Sequence, residues 1–583
     1  MIWATVSGSE ELHDLGFATV DPERSMLQKL SDAFHFFNKS KGTTEFQLAY
    51  GNLPWWASED ATMQPFRPLA AFTHWIDFNV FERNGTLIHL HSLLYFVLFA
   101  FAGILFYSRL TQDKWVPIVA VLLLTFDGSS AIANFSWLAA RNSYMAVAFG
   151  LLSIYCHIGW REQKGPLHGL FSLLFLGLAI LSAEAGIATF GYLLSYALVA
   201  DRSGWKKGLL YLLPAVLLIL AWRGGYSASG FGASGIGLYL DPARDLGKFI
   251  TQLFGIYPII FLSQITGYDA FVSSVPVDWR IPVQVFAWIV FILLVALFKN
   301  VFRANRFALA MYLGALFAAI PHASLINVGS RSGTFVAIGF FFVFATWLLA
   351  LFRDGATKKS RLLGSMILGY HILIPAIILS VVSFRLLDIN YVSDQLYENS
   401  VSQMEENGAS SLVIINPPIP AGVFYIPYRW AFNGFTVPDQ IHALAPGLTT
   451  MSLKRETQNR FLLESSHGFV LNQNVEFSDR QGGQTPSSYH VHRMVQGLMT
   501  SPERQYRVGE TIDRSGMLVT IASVNKGTPD KIVVEFYDEN PDKKIWQYYD
   551  YEERVYKPFG QLAIGEQRLI KGPFQEPADR NPS

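Results

Sequence analysis

Cysteine is almost absent from this chain: one residue, Cys156, in 583. That excludes an intrachain disulfide and any cysteine-built metal cluster, and its apolar surroundings, LLSIYCHIGW, mark Cys156 as packing. Charge is scarce as well, at 15% of residues, against about 25% in an ordinary soluble protein. Net charge is missing altogether, with Lys+Arg and Asp+Glu at 45 each, so composition suggests no nucleic-acid partner. Phosphate-loop, H-E-x-x-H and dinucleotide-binding fingerprints are also lacking. The glycine run GGYSASGFGASGIG (224–237) has neither the lysine nor the strand–turn–helix setting of a phosphate loop, and reads as a flexible outer loop.

Hydrophobic residues make up 51% of the chain, and they are concentrated in runs. Runs near or above membrane-spanning length fall at 86–108, 142–160, 281–298, 332–352 and 362–384, with shorter ones near 115–127, 208–222 and 307–321. The run 167–200 would make roughly 51 Å of helix, so it is expected to be two short spans meeting near Ser182-Ala183-Glu184. Basic residues cluster in five connectors: Arg109/Lys114, Arg161/Lys164, Arg202/Lys206/Lys207, Lys299/Arg303/Arg306 and Arg353/Lys358/Lys359/Arg361. Placing all five in the cytoplasm calls for about ten transmembrane helices, with 1–85 and 385–583 outside. The same count requires 245–266 not to cross, and its mixed apolar and polar pattern suits an interfacial helix. No apolar segment precedes 1–85, so a first helix upstream is expected to be missing.

The expected organisation is therefore an α-helical polytopic membrane protein with an extracytoplasmic C-terminal region. Residues 1–85 form a first outer loop and 86–384 the transmembrane domain. A small α/β element at 385–445 carries the strands SSLVIINPP and IHALAP. An antiparallel β domain at 446–583 has period-two runs such as MLVTIASV and KIVVEFYD.

Ionisable groups at the mouth of membrane helices are costly unless they serve a polar cavity. The loop from Phe66 into the 86–108 helix carries Arg67, His74 and Asp77, then His89 and His91. Two positions apart on a helix, His89 and His91 face different directions and make a poor metal pair. Among the loop acids, Glu10 and Glu11 stand out because adjacent carboxylates perturb each other's titration; Glu59, Asp60 and Asp77 are further candidates. Such an acid can serve as general base or hold a divalent metal. Trp55 and Trp56 read as interface anchors or as a stacking platform for a sugar or lipid head group. Arg67 reads as a phosphate grip or a loop brace. Arg141 and Arg331, at the outer ends of spans, suit lipid phosphate, with Asp127 or Glu184 as the alternative ion-pair partners.

FRPLAAFTHWIDFNVF, then WLAARNSYMAVAFG, LAILSAEAGIATFG and SRSGTFVAIGFFFVFA, in this order relative to the spans, resembles the GT-C superfamily of polyprenyl-phosphate-sugar-dependent glycosyltransferases. The pattern looks closest to protein O-mannosyltransferase-like enzymes and TPR-bearing transmembrane O-mannosyltransferases, and also looks like large bacterial multi-pass membrane proteins. The matching positions are Phe66–Leu69, Trp137/Arg141, Ser182/Glu184 and Arg331/Phe335, within roughly 50–350. The resemblance implies a GT-C-like fold in a bacterial inner membrane with a periplasmic C-terminal domain. It implies a polyprenyl-phosphate sugar donor, membrane lipids as surroundings, and a glycan, lipid or protein acceptor outside. The implied donor-phosphate residues are Arg67, Arg141, Glu184 and Arg331, and the substrate contacts Trp55, Trp56, His74 and Asp77. The family's Asp-Asp or Asp-Glu pair after its first helix has Glu10-Glu11 as its nearest substitute, with Asp60 beside them as a catalytic candidate. A divalent Mg or Mn fits that chemistry, with no ligand set assigned. The alternative is a catalytically degenerate GT-C-like scaffold whose β domain binds a protein or glycan partner.

Overall fold

The apolar runs form helices because a backbone in a nonpolar medium must satisfy its own hydrogen bonds. The computed structural model describes residues 25–82, 84–127, 138–237, 239–240, 242, 245–267, 277–325, 333–385, 395–401, 404, 410–418, 420–432, 434–465, 468–470, 496–501, 503–537 and 540–573. The first loop contributes α1 (Met26–Asp32), β1 (Phe37–Asn38), α2 (Thr43–Tyr50), β2 (Thr62–Gln64) and α3 (Pro68–Val80). The helical bundle follows as α4 (Gly85–Leu110), α5 (Trp115–Thr125), α6 (Arg141–Arg161), α7 (Pro166–Ser182), α8 (Thr189–Val199) and α9 (Trp205–Ala228). After β3 (Gly232–Ser234) come α10 (Leu246–Thr266), α11 (Val277–Ala304), α12 (Arg306–His322), α13 (Thr334–Ala350) and α14 (Lys358–Val381). Among the described residues, six helices are long and apolar enough to cross a membrane: α4, α6, α9, α10, most of α11, and α14. Five apolar helices are shorter. The run 167–200 breaks where its length requires, at extended Ala183, with a 3-10 turn over Glu184–Ala188 leading into α8.

The bundle is built around α13, which is apolar on every side and buried from Thr334 to Ala345, the signature of a central helix. Close approach there depends on small residues. A Cβ on Gly339 would sit 2.0 Å from the Met311 carbonyl oxygen of α12. Tyr192 of α8 fills the neighbouring space, donating its hydroxyl to the Phe335 carbonyl and accepting from the Gly339 N–H.

The five basic connectors gather at one end of the bundle. Arg109 pairs with Glu162 at 2.6 Å, Arg161 with Asp201 at 2.7 Å and Arg353 with Asp113 at 3.9 Å. The Asn305 side-chain amide donates to the Leu110 carbonyl. The opposite end is capped by the first loop and the C-terminal region.

Residues 245–266 do not lie along a surface as an interfacial helix would. The Gln252 side chain donates to the carbonyls of Ala323 and Leu325, the Tyr257 hydroxyl donates to the Leu316 carbonyl, and the Phe261 ring meets Tyr312. These pairs run α10 antiparallel along α12, with Leu246, Ile250 and Phe254 exposed on its other face. The Trp288 indole donates to the Phe254 carbonyl and Phe261 meets Phe291, so α10 and α11 run in the same direction where they touch.

The C-terminal region has two sheets. One is four-stranded, in the order β12 (Val555–Pro558), β11 (Ile545–Asp550), β4 (Ser411–Ile414), β5 (Gln440–Ala443), and is parallel across β11–β4–β5. The other is six-stranded and antiparallel, in the order β13 (Gln567–Ile570), β6 (Met451–Arg455), β7 (Arg460–Glu464), β10 (Thr528–Phe536), β9 (Met517–Asn525), β8 (Thr511–Arg514). The boundary expected at 445/446 therefore falls inside a shared structure, because residues 545–558 complete the sheet begun at 411–443. Residues 232–234 of the glycine run, read as flexible loop, instead form β3, the third strand of a β1–β2–β3 sheet with the first loop.

Candidate functional site

Pro68 at the first helical position starts α3, its fixed φ suiting that place. The helix is inside-out by the standard of a soluble protein. Its buried face carries Thr73, His74 and Asp77, while Phe72 and Val80 are exposed. Such a helix suits a position between a polar interior and a lipid surface.

Asp77 is the centre of a buried charge cluster. Its Oδ2 lies 2.6 Å from Arg141 Nη1 and its Oδ1 2.6 Å from His91 Nδ1. Both side chains of the Asp77–Arg141 pair are fully buried. Arg141 also donates from Nε and Nη2 to the Ser92 hydroxyl, at 3.0 and 2.7 Å. His91 Nε2 lies 3.2 Å from the Tyr95 hydroxyl. His74 Nδ1 sits 3.6 Å from Asp77 Oδ2, and its ring packs edge-on to Phe34. The cluster joins α3, α4 and the start of α6.

A second pair lies at the other end of α3. Arg67 Nε donates to Glu184 Oε2 at 2.7 Å, and the Phe66 backbone N–H donates to Glu184 Oε1 at 2.9 Å. Glu184 stands at the break between α7 and α8. Unlike the first cluster, this pair is partly open, with side-chain exposures of 22% and 24%. Burial opposes the charge on Arg67, but the Glu184 carboxylate, together with the nearby Tyr239 and Tyr226, outweighs it and raises the guanidinium above its ordinary value. Arg67 and Asp77 are ten residues apart, about 15 Å along a helix, so the two pairs are separate.

The residues selected from sequence are thus divided. Arg67 and Glu184 meet, whereas Arg141 is taken by Asp77 and belongs to the buried cluster. Glu10, Glu11 and Arg331 lie outside the described residues. Asp60 is exposed in a turn near Lys39, its carbonyl backed closely by Gly235, away from both pairs. Trp55 and Trp56 are each 2% exposed and offer no stacking face. The Trp55 indole donates to the Leu444 carbonyl at 2.9 Å, and both rings belong to the C-terminal core. His74 is equally enclosed. The His91–Asp77 contact had no sequence signal, since the two lie on different helices without common periodicity.

Among the described residues no three His, Cys, Asp or Glu side chains are grouped to hold a metal. His74, Asp77 and His91 come nearest, but a guanidinium already occupies Asp77 Oδ2, where a cation would have to bind. The donor set does not fit Mg or Mn. No family model matches this chain, and no curated protein is similar to it.

Proposed function

We propose that the protein is a membrane glycosyltransferase that moves a sugar from a polyprenyl-phosphate donor to an acceptor at the capped, extracytoplasmic end of the bundle. The observation that carries this reading is the partly open Arg67–Glu184 pair. A guanidinium and a carboxylate side by side at a bundle mouth supply the two groups the reaction needs. Arg67 takes the donor phosphate, with which a guanidinium pairs bidentately. Displaced from Arg67, Glu184 accepts the proton of the acceptor hydroxyl. The acceptor oxygen attacks C1 of the sugar, the C1–O bond breaks, and its electron pair leaves on the lipid phosphate, whose charge Arg67 balances. The Asp77–His91–Arg141 cluster acts on position: it pins α3 to α4 and α6, and α3 begins at Arg67.

The test is release of polyprenyl phosphate in proteoliposomes supplied with polyprenyl-phosphate hexoses and a mixture of glycan, lipid and peptide acceptors. Arg67→Ala should lower turnover by roughly 10²- to 10³-fold. Glu184→Gln should remove turnover while donor binding persists. Turnover undiminished in Glu184→Gln returns the base to Glu10 and Glu11, to be tested as a double Gln variant. Donor binding with no turnover in the unaltered protein overturns the enzyme and leaves the scaffold.

A further inference from the structure

α9 carries a charge on its exposed, apolar face near the capped end. Arg223 is exposed on a helix whose apolar window is only 17% buried, about 7.5 Å by helical rise from Ala228 at the capped end. An arginine so near a helix end reaches the headgroup level, where lipid phosphates lie. Among the described residues no carboxylate lies within ion-pair distance of it; its contact is with the Tyr226 ring, 5.6 Å from the guanidinium carbon. Beside it Gly224 and Gly225 face open space, where an added Cβ would meet nothing within 4 Å.

From Arg223 a line of rings leads inward. Tyr226 lies 5.0 Å from Trp222 and 5.9 Å from Phe231, and Phe231 lies 4.7 Å from Phe66, the neighbour of Arg67. Lys41, exposed, caps Phe231 with its ammonium 4.7 Å from the ring centre. Tyr226 is within electrostatic reach of Arg67, Glu184 and Arg223 together. Two cations without carboxylate partners among the described residues thus flank an aromatic path from the exposed side of α9 to the Arg67–Glu184 pair.

We infer that Arg223 and Lys41, at the two ends of this ring path, receive in turn the phosphate of a membrane lipid arriving sideways from the leaflet at the capped end, with the rings as a track for its first carbons. The binding itself does not depend on sugar transfer; only the identification of that lipid with the donor rests on the transferase reading.

The experiment uses the full chain in detergent, stripped of lipid and monitored by native mass spectrometry. Phosphatidylglycerol, phosphatidylcholine, polyprenyl phosphate and inorganic phosphate are each added back. Arg223→Gln and Lys41→Ala should each weaken retention of phosphatidylglycerol and polyprenyl phosphate by roughly fivefold. Phosphatidylcholine should be held weakly and equally by all forms. Thermal stability should be unchanged, since Arg223 and Lys41 are exposed, and Arg223→Lys should restore part of the binding. Equal retention by Arg223→Gln and the unaltered protein overturns the inference. So does an equal response with inorganic phosphate and with lipids, which would make it a plain anion site. Neither result depends on whether transfer occurs.

Discussion

Asp77 is the residue on which most of the polar interior turns. Both its oxygens face cationic or ring nitrogen partners, and neither Asp77 nor Arg141 reaches solvent. Removing one member of a buried pair leaves the other uncompensated, at a cost of about 3–5 kcal/mol. Asp77→Asn or Arg141→Ala should therefore lower unfolding stability in detergent by that amount. Replacing both by apolar residues should cost clearly less than the sum of the two single changes. Additive losses in such a cycle would show that the pair is not coupled. That membrane-zone charges must find partners was legible in the sequence, because isolated ones are too costly. Which partners they find was not. Lipid phosphate, or as the alternative Asp127 or Glu184, was read for Arg141, yet Asp77 takes it across 64 residues of chain, and Arg67 takes Glu184 across 117. Hydropathy locates a charge along the chain and says nothing about the helix that will stand opposite.

At the scale of elements, α10 packs against the bundle where its pattern suggested a surface helix. The interfacial character expected for 245–266 is found instead in α3, whose polar face turns inward and whose Phe72 and Val80 turn out. Amphipathic pattern reveals that a helix has two faces, but Gln252 and Tyr257 of α10 donate to carbonyls of neighbouring chain. α10 and α11 both run from the capped end toward the basic end. Labelling checks this. In a Cys156→Ser background, Lys248→Cys should react with an impermeant maleimide added on the side of the C-terminal domain. Thr266→Cys should be protected from that side. Comparable rates at both positions would place the helix on the surface and remove it from the bundle. The break at Ala183, by contrast, followed from length alone, since no single helix of that run fits a ~30 Å core.

For the whole molecule, the first loop is part of the C-terminal domain as much as of the membrane bundle. Trp55 and Trp56 lie in the core shared by both sheets, and α2 ends at Gly51, which has φ +96°. A Cβ there would stand 1.6 Å from the Ile441 carbonyl oxygen, so only glycine lets the loop approach β5. Trp55→Ala should cost about 3–5 kcal/mol and expose the C-terminal domain to limited proteolysis while the helical bundle stays intact. Equal protease resistance in the variant would show that the domains hold together without this clamp. Composition made the two-part plan readable, apolar helices followed by period-two strands, but a bond between residues 389 positions apart leaves no local trace. The same clamp sets a timetable for biosynthesis. Elongation at about 5–20 residues per second puts roughly 20–80 s between the emergence of Trp55 and that of Leu444. Throughout that interval the two indoles have no native core to enter, so assembly of the capped end is obligatorily post-insertional. A chain released early would carry two bare tryptophans beside the membrane, an address that holdases and quality-control proteases can read.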